Sequence, residues 1–280
     1  MLTLRYVVCD VFTDQPLTGN QLAVFTNGTR LDAALMQSLA REMSFSESVF
    51  VVPPNQGGDA RLRIFTPKIE IPFAGHPTLG SAFVLGGPLQ RERLRLETGA
   101  GTIVVRLERE GPRIVFGWME QPLPSFEPYP ASEELCAALG VEGYVLPITV
   151  YDNGPKHVMV AVSSRDTVAT LKPDLAQLEK LPGDCFSVFA GSEREWKTRM
   201  FAPGAGVAED PATGSAAGPL CLHLARHGRV GFGEEIQIEQ GAEIGRPSKL
   251  HARVFGSSES VERVEVGGSA VIVARGEFRL

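Results

Sequence analysis

One seven-residue phrase occurs twice. His76-Pro77-Thr78-Leu79-Gly80-Ser81-Ala82 and Asp210-Pro211-Ala212-Thr213-Gly214-Ser215-Ala216 stand 134 residues apart in a chain of 280. That offset is far longer than a solenoid unit of about 20–50 residues. It points to a fold built twice. Arg63-Ile64-Phe65-Thr66-Pro67 matches Arg199-Met200-Phe201-Ala202-Pro203 at an offset of 136. Gly19–Phe25 pairs more loosely with Gly154–Val160 at 135. Three matches in one order, at a nearly constant spacing, imply duplication. The copies differ in chemistry at one place, where His76 answers to Asp210. Unlike titratable groups at matching positions imply a single site between two halves.

The repeat therefore predicts two lobes: residues 1–120, a linker over 121–130 that holds four prolines, and 131–280 with a terminal strand free to cross back. The net charge of −6 offers no basic stripe for nucleic acid. No apolar run approaches the ~20 residues of a membrane-spanning helix, and the start, MLTLRYVVCDVF, reads as a strand and not a signal peptide. A cytoplasmic protein is the expectation. Cys9, Cys136, Cys185 and Cys221 are scattered, with no C-x-x-C pair, and read as free thiols. No three ligands show metal spacing.

Strands are expected at Leu4–Asp10, Leu22–Phe25, Ser44–Val52 and Arg61–Phe65, and an amphipathic helix at Leu31–Met43, where Leu31, Leu35, Leu39 and Met43 recur every four residues. The runs after Gly80 and Gly214 are small and apolar, the pattern of buried central helices. Pro77 and Pro211 are placed at the first helical position. Short alternating runs over Leu94–Met119 and Ile236–Ala274 complete the plan. The fold class is α/β (α+β): two pseudo-symmetric lobes, each a barrel-like, mostly antiparallel sheet around a central apolar helix.

Three residues stand out chemically. Asp210 before a proline reads either as an N-cap or as a catalytic acid. His76 at the matching place is not a favoured cap. Glu47 lies at a helix-to-strand junction among Phe45, Val49, Phe50 and Val51, where burial should raise a carboxyl toward neutrality and suit it to general acid–base work. The matching part of the second half, Phe186-Ser187-Val188-Phe189, brings no second acid. A helix N-terminus lined by Gly80-Ser81 or by Gly214-Ser215 offers free N–H groups to a small carboxylate. His223, Arg226 and His227 share a helical face and suggest caps or salt bridges. His157 and His251 show no evident partner.

Further phrases carry a resemblance. Asp10-Val11-Phe12 with Gly19-Asn20, Arg41-Glu42-Met43 with Ser46-Glu47-Ser48, Arg63–Pro67, Pro72-Phe73-Ala74-Gly75-His76-Pro77, Asn153-Gly154-Pro155 and Glu209–Ala216 together resemble the PhzF-like family of the diaminopimelate epimerase-like superfamily. The runs at Asn153–His157, Leu224–Gly228 and Gln240–Ser248 look like its phenazine-biosynthetic branch. The resemblance covers essentially the whole chain. It implies a cofactor-independent isomerase of trans-2,3-dihydro-3-hydroxyanthranilate, with Glu47 moving the proton and His76 and Asp210 assisting. Ser46, Gly75, Gly214 and Ser215 would hold the substrate carboxylate. It also implies a homodimer working among other phenazine-pathway enzymes. The cysteine pair of the superfamily's amino-acid epimerases is absent from the matching motifs, which disfavours two-base racemisation. Two alternatives stay open: an isomerase or epimerase of another small amino or hydroxy acid, and a non-catalytic carboxylate-binding protein.

Overall fold

Two apolar helices are the centres about which the strands are arranged. In the computed structural model, which describes residues 2–280, one unit comprises the chain up to Glu120 together with Gly267–Leu280, and the other comprises Gln121–Val266. No helix of the described residues is long and apolar enough to cross a membrane.

The first unit contains β1 (Thr3–Val11), β2 (Asn20–Phe25), α1 (Ala33–Met43), β3 (Glu47–Val52), β4 (Ala60–Phe65), β5 (Glu70–Ile71), α2 (Gly75–Leu89), β6 (Arg93–Thr98), β7 (Gly101–Glu110) and β8 (Arg113–Gln121). β1–β2, β3–β4, β6–β7 and β7–β8 pair antiparallel. β2–β3 and β4–β6 pair parallel. The C-terminal strand Ala270–Arg279 returns to lie antiparallel to β1. α2 is buried from Gly75 through Val84, as expected of a helix apolar on all sides. Its Gly80 lets it rest directly on the sheet: a Cβ there would come within 2.7 Å of Leu22 Cδ2 and Val11 Cγ2. α1 covers the opposite face, where Met36, Leu39 and Ala40 pack on Ala23, Phe25, Phe50 and Phe65. It begins at Ala33, not Leu31, because the Asp32 side chain accepts a hydrogen bond from the Leu35 N–H and so caps it.

The second unit runs through β9 (Ser125–Pro128), α3 (Ser132–Leu139), β10 (Thr149–Asp152), β11 (Lys156–Ala161), α4 (Arg165–Ala169), α5 (Leu175–Leu178), β12 (Cys185–Ser192), β13 (Glu195–Ala202), β14 (Val207–Asp210), α6 (Gly214–Arg226), β15 (Glu235–Gln240), β16 (Ser248–Gly256) and β17 (Val261–Gly268). The Pro-rich stretch is more than a linker. Its residues Ser125–Pro128 form β9 and pair antiparallel with β10. The prolines fall at or beyond the ends of that strand, where no ladder N–H is missed. α3, α4 and α5 were not foreseen; they are short and cover the outer face formed by Val158, Val160, Phe186, Val188 and Phe201. α6 is buried from Gly214 to Ala225 despite Pro219. A proline at 219 cannot donate to the Ser215 carbonyl. The Asn153 amide Nδ2 supplies that bond instead, at 2.9 Å.

Two expected helix starts are corrected. Pro77 is the third residue of α2, not the first. Pro211 lies outside α6, which begins three residues later at Gly214. Both positions suit proline, since neither would donate an intrahelical bond.

Candidate active site

Strand alternation decides where Glu47 points. Ala23, Phe25 and Phe50 face α1, so Asn20, Leu22, Glu47 and Val49, one residue out of step, face α2. Leu22 is the direct parallel partner of Glu47, and its contact at Gly80 fixes the side on which both lie. β2 and β3 start at the same end of the sheet, and the first turn of α2 carries His76 to it. The His76 Nε2 faces Glu47 Oε2 across 3.4 Å. On the other side of the ring, Asn20 Nδ2 lies 3.2 Å from His76 Nδ1. His76 is 3% exposed. Burial pushes its pKa down to about 3, against a weaker upward pull from a backbone hydrogen bond with Gln21. The imidazole is therefore neutral near pH 7, and its contact with Glu47 is one between a neutral ring and a carboxyl group. Gly75 opens α2, and its N–H, like that of His76, lies in the first turn where no intrahelical acceptor exists. Ser46 sits half-buried immediately before β3.

The second unit holds Asp210 in a different frame. Asp210 ends β14, opposite Met200 of β13, and is buried. It is not the N-cap of α6; that position belongs to Thr213. The Thr213 hydroxyl donates to Asp210 Oδ2 at 2.6 Å. Gln240, 1% exposed, sits behind both. Its Oε1 accepts from the Thr213 N–H at 3.0 Å. Its Nε2 donates to the Asp210 carbonyl at 2.8 Å and to Thr213 Oγ1 at 2.9 Å. Because the hydroxyl already receives a hydrogen from Gln240, its own proton goes to Asp210, and Oδ2 is held as an acceptor. Gly241 next to it has φ +79°, and a Cβ there would meet the Pro211 and Arg246 carbonyl oxygens at 2.5 and 2.4 Å. Gly214 and Ser215 are the first two residues of α6, with first-turn N–H groups open to an anion.

The structure thus joins Glu47 with His76 in the first unit, and sets Asp210 close to Gly214 and Ser215 along the chain in the second. Sequence reasoning missed Asn20, Thr213, Gln240 and Asn153 as supporting residues. Each lies within a motif that carried the resemblance, but their partners could not be read from it. The remaining histidines are structural. His223 Nδ1 meets the Tyr151 hydroxyl at 3.1 Å, Arg226 lies over the Phe126 ring, and His227 Nδ1 reaches the His223 carbonyl. His251, without a partner in the sequence reading, pairs with Glu235 at 2.8 Å.

Comparison with known proteins agrees with this organisation. A family model described as phenazine biosynthesis-like protein matches residues 9–276. The trans-2,3-dihydro-3-hydroxyanthranilate isomerase of Pseudomonas aeruginosa is 50% identical over 276 residues, covering 99% of each chain. The crystal structure of a Bacillus anthracis phenazine biosynthesis protein of the PhzF family superposes with a TM-score of 0.86 at 27% identity, over the full length of both. A probable proline racemase from Agrobacterium radiobacter, 10% identical, superposes with a TM-score of 0.73 over 99% of this chain and 93% of its own. That last likeness shows the fold alone.

Proposed function

The chain belongs to the phenazine biosynthesis-like family, and from that premise we propose that it isomerises trans-2,3-dihydro-3-hydroxyanthranilate by a proton shift for which Glu47 is the carrier. The observation that carries the substrate is 50% identity, across 99% of both chains, to the enzyme of that name. The observation that carries the mechanism is a carboxyl group held 3.4 Å from a buried, neutral imidazole.

In this reading Glu47 takes a proton from one ring carbon. The C–H electron pair moves into the conjugated ring, and the same carboxyl returns the proton to a second carbon on the same face. The resulting enol tautomerises to the aminoketone. Atoms and electrons balance within the substrate, so no oxidant or reductant enters. His76 and Asp210 orient the polar substituents and assist protonation of the enol. The N–H groups of Gly75, Gly214 and Ser215, with Ser46, take the carboxylate. Catalytic contacts that are long or poorly aligned in the resting enzyme, like the 3.4 Å approach of His76 to Glu47, commonly tighten when substrate binds. A homodimer accompanies the reading through the family resemblance; sedimentation equilibrium measures it.

General acid–base catalysis is worth roughly 10²–10⁴-fold. Glu47→Gln is expected to lose turnover on that scale while binding a substrate analogue with near-unchanged affinity. The assay follows the ultraviolet spectrum of dihydrohydroxyanthranilate, and full activity in the variant rejects Glu47 as the carrier. Deuterium incorporation from heavy water, across a panel of small amino and hydroxy acids, separates this substrate from the alternatives.

A further inference from the structure

The Asp10-Val11-Phe12 and Gly19-Asn20 motif has no part in the chemistry above, yet it is built with unusual constraint. Phe12, wholly buried, has φ +63°, and Leu17 has φ +67°. Bulky residues rarely occupy that region and do so where surrounding structure enforces it. The enforcement is visible. The Phe12 and Thr13 N–H groups both donate to the Ser269 carbonyl, at 2.8 and 3.2 Å. The Leu17 N–H donates to Asp10 Oδ2 at 2.7 Å, and the Thr13 and Thr18 hydroxyls meet at 2.5 Å. Gly19 is obligatory, since a Cβ there would lie 2.5 Å from the Val11 carbonyl oxygen and from Thr13 Cγ2. The product of this loop is the placement of one side chain, that of Asn20, 1% exposed, against the imidazole of His76.

The geometry points to Asn20 as a positioning residue that sets the tautomer of His76 and, through it, the orientation of Glu47. With Asn20 Nδ2 facing the ring at 3.2 Å, Nδ1 must accept. A neutral imidazole then carries its single proton on Nε2, the atom that faces Glu47 Oε2. His76 thereby turns an N–H toward Glu47 Oε2, 3.4 Å away. Were the tautomer reversed, a bare Nε2 lone pair would face the carboxylate, and the two would repel. The burial that keeps His76 neutral is what gives the tautomer consequence, because a doubly protonated ring would donate from both nitrogens whatever Asn20 did.

This assignment rests on the isomerase reading for its catalytic meaning, but its first test does not. A long-range proton–nitrogen correlation spectrum of the ¹⁵N-labelled full chain, without substrate at pH 7.5, resolves the ring nitrogens of the five histidines. His76→Gln identifies its signals by their loss. The expected wild-type pattern is neutral, with the proton on Nε2. Asn20→Leu should give mixed tautomers, and Asn20→Asp, whose carboxylate accepts from Nδ1–H, should move the proton to Nδ1. In both variants kcat should fall on the order of 10–100-fold, the scale of losing an outer-shell partner, with KM within about threefold. A wild-type ring protonated on Nδ1, or an unchanged Nε2–H form in both variants, overturns the assignment. The spectrum of the resting wild-type protein decides this even if a variant fails to fold. A fully active Glu47→Gln enzyme would end the isomerase reading without moving the tautomer, so the two failures are distinct.

Discussion

Two copies of one supersecondary plan have kept their backbone and parted in their chemistry. In the first unit the helix α2 reaches back to Gly75 and carries His76 on its first turn. In the second, α6 starts only at Gly214, and Asp210 remains on a strand. The repeat aligns Leu79 with Thr213. Leu79 is wholly buried and has nothing to offer the backbone but packing, so the helix runs through it. Thr213 gives its N–H to Gln240 and its hydroxyl to Asp210, and holds φ −105°, ψ 85°, outside the helical region. One polar residue with one distant amide unwinds the turn and turns a helix residue into a strand end. The strands diverge as well. Leu22 pairs with Glu47 in the first unit, and its counterpart His157 pairs with Cys185 in the second. The structural equivalent of Glu47 is therefore the buried thiol Cys185. The similarity of Ser48-Val49-Phe50 to Ser187-Val188-Phe189 is off by one residue, which reverses the face on which each side chain lies.

The sharpest way to break this comparison is to treat the equivalent positions alike. Glu47→Gln should reduce kcat by the 10²–10⁴-fold expected of a lost acid–base group. Cys185→Ala should leave kcat within about threefold and lower stability by roughly 1 kcal/mol through the small cavity it opens. Comparable losses of turnover in the two variants would mean that the units have not parted in chemistry. The next contrast is between the two repeated arginines. Arg199 forms a two-pronged pair with Glu209 at 2.8 and 2.7 Å and donates to the Leu171 carbonyl at 2.8 Å, largely shielded from solvent. Arg63 makes the same fork with Glu70 at 2.8 and 2.6 Å, but at the surface. Arg199→Met strands the largely shielded carboxylate of Glu209 and should cost about 3 kcal/mol. Arg63→Met should cost less than about 1 kcal/mol. Urea denaturation measures both. Thr213→Val falls between the two: it removes the donor to Asp210 and an acceptor for Gln240, and should cost about 1–3 kcal/mol. If Asp210 works as proposed, kcat falls with it.

What could be read from the amino acids alone follows from this divergence. α2 and α6 were legible because uninterrupted small apolar runs have one stable place, the interior. Most strands were legible from alternation. Glu47 and His76 stood out as polar exceptions within apolar or repeated surroundings, and they do meet. The start of α6 was not legible, because it depends on Gln240, 27 residues away, closing on Thr213. The role of Asn20 was hidden in the same way, its partner lying 56 residues on. α3, α4 and α5 are too short for periodicity to show, and β9 exists only through its pairing with β10. Local pattern reports burial; it does not report which distant amide completes a polar network.

The smallest contrast concerns histidines that stay neutral. His76 in the first unit, and His157 and His223 in the second, are each pushed by burial from the ordinary value to about 3. Below about pH 6.5 the unfolded chain takes up protons at all three sites that the folded chain does not until near pH 3. Stability from these groups is thus complete above pH 6.5 and is lost as pH falls, by roughly 1.4 kcal/mol per pH unit for each histidine. His157 is the informative one. Both its ring nitrogens are buried without a hydrogen-bond partner, and the first unit places Leu22 at the equivalent position. His157→Leu should therefore remove about one such increment, flattening the fall in stability between pH 6.5 and 4.5 without lowering stability at pH 7. Because His157 faces α6 from β11 and not the outer helices, the effect should appear as a change in slope with an unchanged denaturant m-value. A slope identical to the wild type would mean that His157 is protonated inside the folded protein, and that the second unit contains a counter-charge for it which its neighbours Tyr151 and Cys185 do not supply.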